Sequence, residues 1–201
     1  MNAFQDINSL KNKLKSALEN TLPGAEYQYL MAPEIRISGS NPDNARNAAV
    51  MALFFPEDEC IKLVFIRRNE YPGVHSGQVS FPGGMQEKYD ASLKDTALRE
   101  TGEETGIDPD KIDVIGKTSP LLIPVSNFIV HPFIGLLDHK PEFHPDKSEV
   151  SYLIIADLQS LFSPASCKSE LRTLANQRIK VPYYLVNEDK IWGATAMMLS
   201  E

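Results

Sequence analysis

The 201-residue chain has 42% hydrophobic and 23% charged residues, with a formal net charge of −7 and a sequence pI near 5.2. Such a length and composition fit one globular domain with a helical extension and exclude a disordered polyelectrolyte. The acidic balance excludes a general basic surface for nucleic acid or an anionic membrane, so a polyanionic substrate needs a metal ion or a local Arg/Lys cluster. Cys60 and Cys167 offer neither a metal-ligand spacing nor a disulfide framework, which makes a reducing cytoplasm the simplest compartment. No apolar run approaches membrane-spanning length and no membrane segment is expected.

In chain order, Ile7, Leu10, Leu14 and Leu18 recur at helical steps and predict an amphipathic helix ending before Pro23-Gly24. This gives an expected N-terminal helical extension over 1–30, followed by the main domain over 31–201. Residues 31–47, with Pro33, Gly39 and Pro42, predict a loop leading in. Residues 48–55 and 61–66 are short apolar runs separated by Pro56-Glu57-Asp58-Glu59, a strand-turn-strand pattern. A Gly/Pro-punctuated stretch over 69–84 precedes a helix expected over 91–105. Further apolar runs fall at 112–115, 121–136 and 150–155. The tail predicts a short helix at 157–162, a strand at 178–186 and a last helix from Ala194. Strands and helices mix in an α/β pattern, with no internal repeat.

The 91–105 helix is acidic where it should be apolar. Leu93, Ala97, Glu100 and Glu104 fall on one line of the helical surface, so the stripe that faces the core turns acidic in its last two turns. Glu103 lies beside them, and like charges at these spacings each cost a few tenths of a kcal/mol. The carboxylates also sit at the helix end where the macrodipole opposes them, with Gly106, Ile107 and Pro109 closing the helix. A glutamate-rich helix is ordinarily a solvated face. Here, however, Phe81-Pro82-Gly83-Gly84 precedes it, and the two glycines let backbone approach a ligand closely. Arg99, four residues before Glu103, offsets that one carboxylate but lies well off the Glu100/Glu104 line. A hard divalent cation, Mg²⁺ or Mn²⁺, would satisfy the pair.

Gly84, Asp90, Arg99, Glu100, Glu103, Glu104, Gly106 and Ile107 together resemble the Nudix box, G-x5-E-x7-R-E-U-x-E-E-x-G-U with U aliphatic. Three positions depart from it: the early glutamate is Asp90, the spacer to Arg99 is one residue longer, and Thr101 stands at an aliphatic position. Asp90 is either the helix N-cap or a site residue. The longer spacer is similar to that of the coenzyme A pyrophosphatase branch. Val64–Gly84 resembles that branch's signature, L-L-T-x-R-S-x3-R-x3-G-x3-F-P-G-G, through Arg68, Gly77, Phe81, Pro82, Gly83 and Gly84, with Asn69 and Gly73 in place of its serine and second arginine. Ile191-Trp192-Gly193-Ala194-Thr195-Ala196 resembles the I-W-G-x-T-A near the end of these enzymes. The likeness runs from about residue 46 to 198.

The resemblance implies a Nudix-type α/β/α sandwich with a mixed β-sheet, and hydrolysis of coenzyme A or an acyl derivative to 3′,5′-ADP and 4′-phosphopantetheine with Mg²⁺ or Mn²⁺. A homodimer is also reasonable from it. By physics and by likeness, Glu100 and Glu104 are expected metal ligands, with Glu103 a ligand or general base and the Gly84 carbonyl a further ligand. Arg99 would orient a glutamate, and Glu149 is a second candidate base from a loop. Arg67 and Arg68 end a strand and point to opposite faces, with Arg68 the better phosphate contact. His75 either touches substrate or is an exposed loop residue, and Trp192 either stacks on adenine or packs the core. His131, His139 and His144 are too scattered for a zinc site. Pyrophosphatases for ADP-ribose, dinucleotides or deoxynucleoside triphosphates are the main alternative. A non-catalytic nucleotide-binding module is another, against which the intact glutamates argue.

Overall fold

Strand alternation builds the centre of the molecule. In the computed structural model, which describes residues 6–34, 44–174 and 177–201, strand β1 (Arg46–Glu57) buries side chains on both faces. Ala49, Met51, Leu53 and Phe55 face one side, while Ala48, Val50 and Phe54 face the other. β2 (Cys60–Arg68) returns antiparallel to β1 across Asp58-Glu59, whose φ values of 50° and 59° are those of a tight hairpin turn with left-handed central residues. β7 (Phe128–Leu136) lies parallel to β1 along its other edge, from Arg46↔Phe128 to Phe54↔Leu136.

The first half of β1 and the second half of β2 splay apart, and the chain from 79 to 85 fills the gap. Here β3 (Val79–Ser80) pairs with Ile66 and Arg67, and β4 (Gly83–Met85) pairs with Ala48, Ala49 and Val50. Gly83 carries a φ of 150°, and a Cβ there would stand 2.3 Å from the Ala49 carbonyl oxygen, so this wedge requires glycine. The buried Phe81 ring stacks on Phe65 at 5.0 Å. β5 (Asp113–Lys117), β6 (Leu121–Ile123) and β8 (Val150–Asp157) complete an eight-stranded mixed sheet.

Helices cover both faces. α3 (Leu93–Thr105) sets Ala97 against Ala49, Met51, Leu53, Phe55, Val64 and Phe133. On the opposite face α1 (Ile7–Leu18) and α5 (Gly193–Leu199) meet the second cluster, where Leu10, Ala196, Met197 and Met198 are buried with Val50, Phe54, Leu63 and Phe65, and a short α2 (Ala25–Gln28) lies against α5. The result is an α/β/α sandwich with a mixed sheet. A second, three-stranded antiparallel sheet of β9 (Cys167–Leu174), β10 (Gln177–Val186) and β11 (Asp189–Trp192) leads directly into α5. The remaining helix, α4 (Leu158–Leu161), follows β8. No helix among the described residues is long and apolar enough to cross a membrane.

Several expectations are corrected. The helix expected over 91–105 starts at Leu93, because Ser92 is its N-cap: the hydroxyl accepts the Asp95 N–H, and Asp90 does not cap it. The run over 121–136 is two strands, since 124–127 turns back with Asn127 at φ 53°. The Gly/Pro-punctuated stretch over 69–84, for which no strand was expected, contains β3 and the start of β4. Strands β9 and β11 were not anticipated. Residues 35–43 of the expected entry loop, and 1–5 of the expected extension, lie outside the described residues.

Candidate active site

The acidic helix delivers its carboxylates onto the glycine wedge. Glu104 is 2% exposed, and its Oε2 accepts the Gly83 N–H at 2.8 Å. A cation stands beside it, with Arg68 Nη1 at 3.6 Å from Oε1. Burial is the main reason that the Glu104 carboxyl is pushed up to about 8, with the Gly83 hydrogen bond and Arg68 opposing and the charges of Glu100 and Glu149 adding. Glu100 lies one turn earlier against Gly84, where a Cβ on the glycine would stand 2.4 Å from the carboxyl carbon. Its carboxyl is also raised, first by burial and then by Glu103 and Glu149, against the pull of Arg99.

Arg99 organises the outer side of this cluster. Its Nε and Nη2 donate to the two oxygens of Asp90, each at 3.0 Å, while Nη1 donates to Glu100 and to Glu103, each at 2.8 Å. Nη2 also reaches the Met85 carbonyl at 3.3 Å. Asp90, which further accepts the Thr96 hydroxyl and the Glu87 N–H, is held at about 2, chiefly by the Arg99 hydrogen bonds. Arg99 was expected to serve Glu103 alone, yet it bonds Glu100 as well. The exposed Tyr89 ring lies 5.5 Å from its guanidinium, a neighbour the sequence did not single out.

One departure from the family box, Thr101, has a local reason. Thr101 is fully buried, and its hydroxyl donates to the Ala97 carbonyl at 2.6 Å, so a polar residue sits in an apolar place with its polar atom satisfied inside the helix. Gly102 packs under Pro109, whose Cγ would stand 2.9 Å from a Cβ. Gly106 closes α3 in the left-handed conformation, φ 75°.

Glu100, Glu103, Glu104, Arg99, Asp90, Arg68 and the Gly83-Gly84 backbone are thus brought together. Glu149 belongs to the same electrostatic group, and its backbone carbonyl accepts the Asn69 N–H at 3.1 Å. Two expected site residues lie elsewhere. Arg67 turns to Asp189, at 3.5 Å, where the pairing of β2 with β8 shifts register and leaves Ser151 of β8 as the extra residue. His75, at φ 69°, bonds Gln78 through Nδ1. The Gly83 N–H was missed as the group that fixes Glu104, and its only trace in the sequence is the doubled glycine.

The NUDIX domain model matches residues 45–178, more than half of the chain. The chain belongs to the Nudix hydrolase family. A protein of Pectobacterium atrosepticum named "Uncharacterized Nudix hydrolase NudL" is 35% identical over 139 residues, covering 69% of this chain and 72% of that one. The NudL protein of Photorhabdus laumondii is 32% identical, covering 79% and 84%. "Nudix hydrolase 15, mitochondrial" of Arabidopsis thaliana is 32% identical, and the match spans 77% of this chain and 56% of the plant protein. A MutT/nudix family protein from Enterococcus faecalis superposes with a TM-score of 0.54 at 17% identity, covering 94% of this chain and 71% of that one, which shows the shared fold.

As a Nudix hydrolase the chain acts on a phosphoanhydride, and such enzymes generally use divalent metal ions. The donors at this site fit such an ion in their chemistry. Two carboxylates with raised pKa values, Glu104 buried and Glu100 partly buried, gain from a cation at their oxygens, and carboxylate and carbonyl oxygen are the ligands that hard divalent ions take. In the structure Glu100 and Glu103 face Arg99 and Glu104 faces Gly83, and among the described residues no three carboxylate, imidazole or thiol groups converge on one point.

Proposed function

We propose that this Nudix hydrolase cleaves the pyrophosphate bond of coenzyme A or an acyl-coenzyme A, giving 3′,5′-ADP and 4′-phosphopantetheine or its acyl form, with Mg²⁺ or Mn²⁺. One observation carries the choice of substrate. The two separate stretches that resemble the coenzyme A branch, 64–84 and 191–196, are bonded to each other: the Thr195 hydroxyl donates to the Val79 carbonyl at 3.0 Å, and both residues are buried. A shared arrangement of the two stretches is what a common substrate site requires, and it supports the branch reading. A homodimer and a cytoplasmic setting belong to the same proposal.

Glu100, Glu104, Glu103 and the Gly84 carbonyl would hold the metal. When bound, the ion supplies charge neutralisation at the anhydride and a more acidic water. The chain's own residues do the rest. Arg68, whose Nη1 lies near Glu104 and whose buried Nε has no partner among the described residues, binds a phosphate oxygen. Arg99, anchored on Asp90, orients Glu103 and Glu100. Either Glu103 or Glu149 takes the proton from the attacking water.

A second reading, a pyrophosphatase for ADP-ribose, dinucleotides or deoxynucleoside triphosphates, has its own observation. Asn69, at the signature serine position, donates through Nδ2 to the Lys147 carbonyl at 3.0 Å and so ties down the Glu149 loop, while Gly73 brings no arginine. The test is a panel of coenzyme A, ADP-ribose, NADH and dGTP with the products resolved by chromatography. Release of 3′,5′-ADP as the main reaction supports the proposal, and preferred cleavage of another member overturns the coenzyme A assignment.

A further inference from the structure

The three-stranded sheet runs β11-β10-β9, so β9 is an edge strand with no neighbouring strand on its outer side among the described residues. The register fixes which of its groups point outward. Lys180 turns its own N–H and carbonyl away from β9, to the Glu34 carboxylate and the Glu34 N–H, and Pro182 has no N–H to give. Leu171 opposite Lys180 and Ser169 opposite Pro182 therefore occupy the non-hydrogen-bonded positions of the β9–β10 ladder, as does Thr173 by alternation. Their backbone N–H and carbonyl groups point to the open edge, where they meet no partner among the described residues.

The side chains of β9 alternate between two faces. Glu170 and Arg172 share a face with the buried Val181 and Ile179; they pair with each other, Glu170 also takes Lys190, and the Arg172 guanidinium lies 4.2 Å from the Trp192 ring centroid. Cys167, Ser169, Leu171 and Thr173 lie on the other face, all of them uncharged and exposed, with Leu171 at 62%. Edge strands are ordinarily guarded by an outward charge, a proline or a bulge. β9 has no such guard on this face, and it pairs with β10 without a register shift from Gln177↔Leu174 to Tyr184↔Cys167. A regular, neutral edge of this kind is a template for a further strand.

We infer that a second copy of this chain docks on the open edge, β9 against β9, antiparallel about a two-fold axis at Leu171. Charge and length select that centre. An axis at Leu171 sets Glu170 opposite the partner's Arg172 and Arg172 opposite the partner's Glu170, lays the two Leu171 side chains together, and joins the strands over the whole of Lys168–Leu174. An axis at Glu170 would instead oppose Glu170 to its own copy and Lys168 to the partner's Arg172, and an axis at Arg172 would oppose two guanidinium groups. An axis at Ser169 keeps Lys168 opposite the partner's Glu170 but joins only Cys167–Leu171. With the axis at Leu171, the outward groups of Ser169, Leu171 and Thr173 complete a hydrogen-bonded row, and the two small sheets become one continuous sheet. One strand from each copy is a small interface, below about 1,200 Å² in total, so the dimer is reversible. The inference gives a face to the homodimer of the proposed function and rests on that part of it alone, with no dependence on substrate or metal.

Sedimentation equilibrium of the full chain, from micromolar to submillimolar protein, tests this. Wild type is expected to associate reversibly to a dimer. Leu171→Lys brings two ammonium groups together at the axis and raises the dimer Kd by at least about tenfold, while its circular dichroism spectrum stays that of wild type because the side chain is exposed. Leu171→Pro removes an N–H that points only outward and weakens the dimer in the same sense. The register is read by disulfides in a Cys60→Ser, Cys167→Ser background. On mild oxidation Leu171→Cys is expected to cross-link, since it faces its own copy at about 5.5 Å between Cα atoms, whereas Thr173→Cys is not, lying roughly 14 Å from its copy. A wild type that stays monomeric throughout the range overturns the inference, as does a dimer that both Leu171 variants leave unchanged, or a cross-link through Thr173→Cys with none through Leu171→Cys. Release of 3′,5′-ADP from coenzyme A is followed on the same samples. A Leu171-dependent dimer that releases none overturns the coenzyme A reading and supports the edge, and release by a monomer does the reverse.

Discussion

The Glu104 carboxylate is fixed by the Gly83 N–H at 2.8 Å in a place that is 2% exposed. A carboxyl raised by burial favours its protonated form in the folded chain, so in metal-free protein Glu104 opposes folding as it ionises. Its ordinary value is 4.5 and its folded value is about 8, so the unfolded chain releases the proton first. Stability is therefore highest below about pH 4.5 with respect to this group, and it falls as pH rises toward 8, by on the order of a few kcal/mol. Urea melts in EDTA between pH 5 and 8.5 check this. Glu104→Gln removes most of that slope, and Mg²⁺ or Mn²⁺ raises the Tm of wild type more at pH 8 than at pH 5.

Asp90 acts in the opposite sense. Its carboxyl is depressed to about 2 by Arg99, so it contributes stability that is present above its ordinary value of 3.8 and lost as pH falls toward 2. Asp90→Ala leaves Arg99 without its main partner and costs about 3 kcal/mol at pH 7, the scale for breaking a buried pair. With Arg99 no longer anchored, kcat also falls, although Asp90 sits on the far side of Arg99 from Glu100 and Glu103. Denaturant melts and steady-state kinetics of Asp90→Ala and Asp90→Asn report the two effects.

Gly84 is predicted to tolerate no side chain. An added Cβ would meet the Glu100 carboxyl at 2.4 Å, which forces that carboxylate off its place over β4. Gly84→Ala should lower kcat at least about a hundredfold while the Tm falls only modestly, because the displaced atoms belong to a partly flexible side chain. Gly83→Ala, whose Cβ would meet the Ala49 carbonyl at 2.3 Å, should instead impair folding itself. Circular dichroism melts beside activity distinguish the two variants.

Glu103 and Glu149 are the competing bases. Removing the true base costs on the order of 10²–10⁴ in kcat and abolishes the acidic limb of the pH–rate profile, whereas removing the other leaves that limb in place. Profiles of Glu103→Gln and Glu149→Gln decide between them.

Much of the site was legible because its residues violate ordinary helix patterning. Glu100 and Glu104 stand where α3 should be apolar, and carboxylates on a core-facing line are a feature that spacing reveals. The strands with buried faces, β1, β2 and β8, were legible through their apolar runs. The second sheet was not. β9 reads Cys-Lys-Ser-Glu-Leu-Arg-Thr-Leu and β11 is only four residues long, so neither carries the apolar run by which a strand is recognised. β3 and β4 are two and three residues long in a glycine-rich wedge, and their existence depends on the splaying of β1 and β2, a tertiary event with no local signal. The reach of Arg99 to Asp90 was hidden because helical spacing relates Arg99 only to its own helix, while this main partner lies in the turn before Ser92, and its bond to Glu100 joins sequence neighbours, which helical spacing does not bring face to face.

The most direct test of the acidic helix as the catalytic centre is the rate of 3′,5′-ADP release from coenzyme A by wild type and Glu104→Gln, each with Mg²⁺, with Mn²⁺ and with EDTA. The account predicts release by wild type with either ion, none in EDTA, and a loss of at least about a hundredfold in Glu104→Gln with either ion. Release that persists in EDTA, or that Glu104→Gln leaves intact, would contradict it.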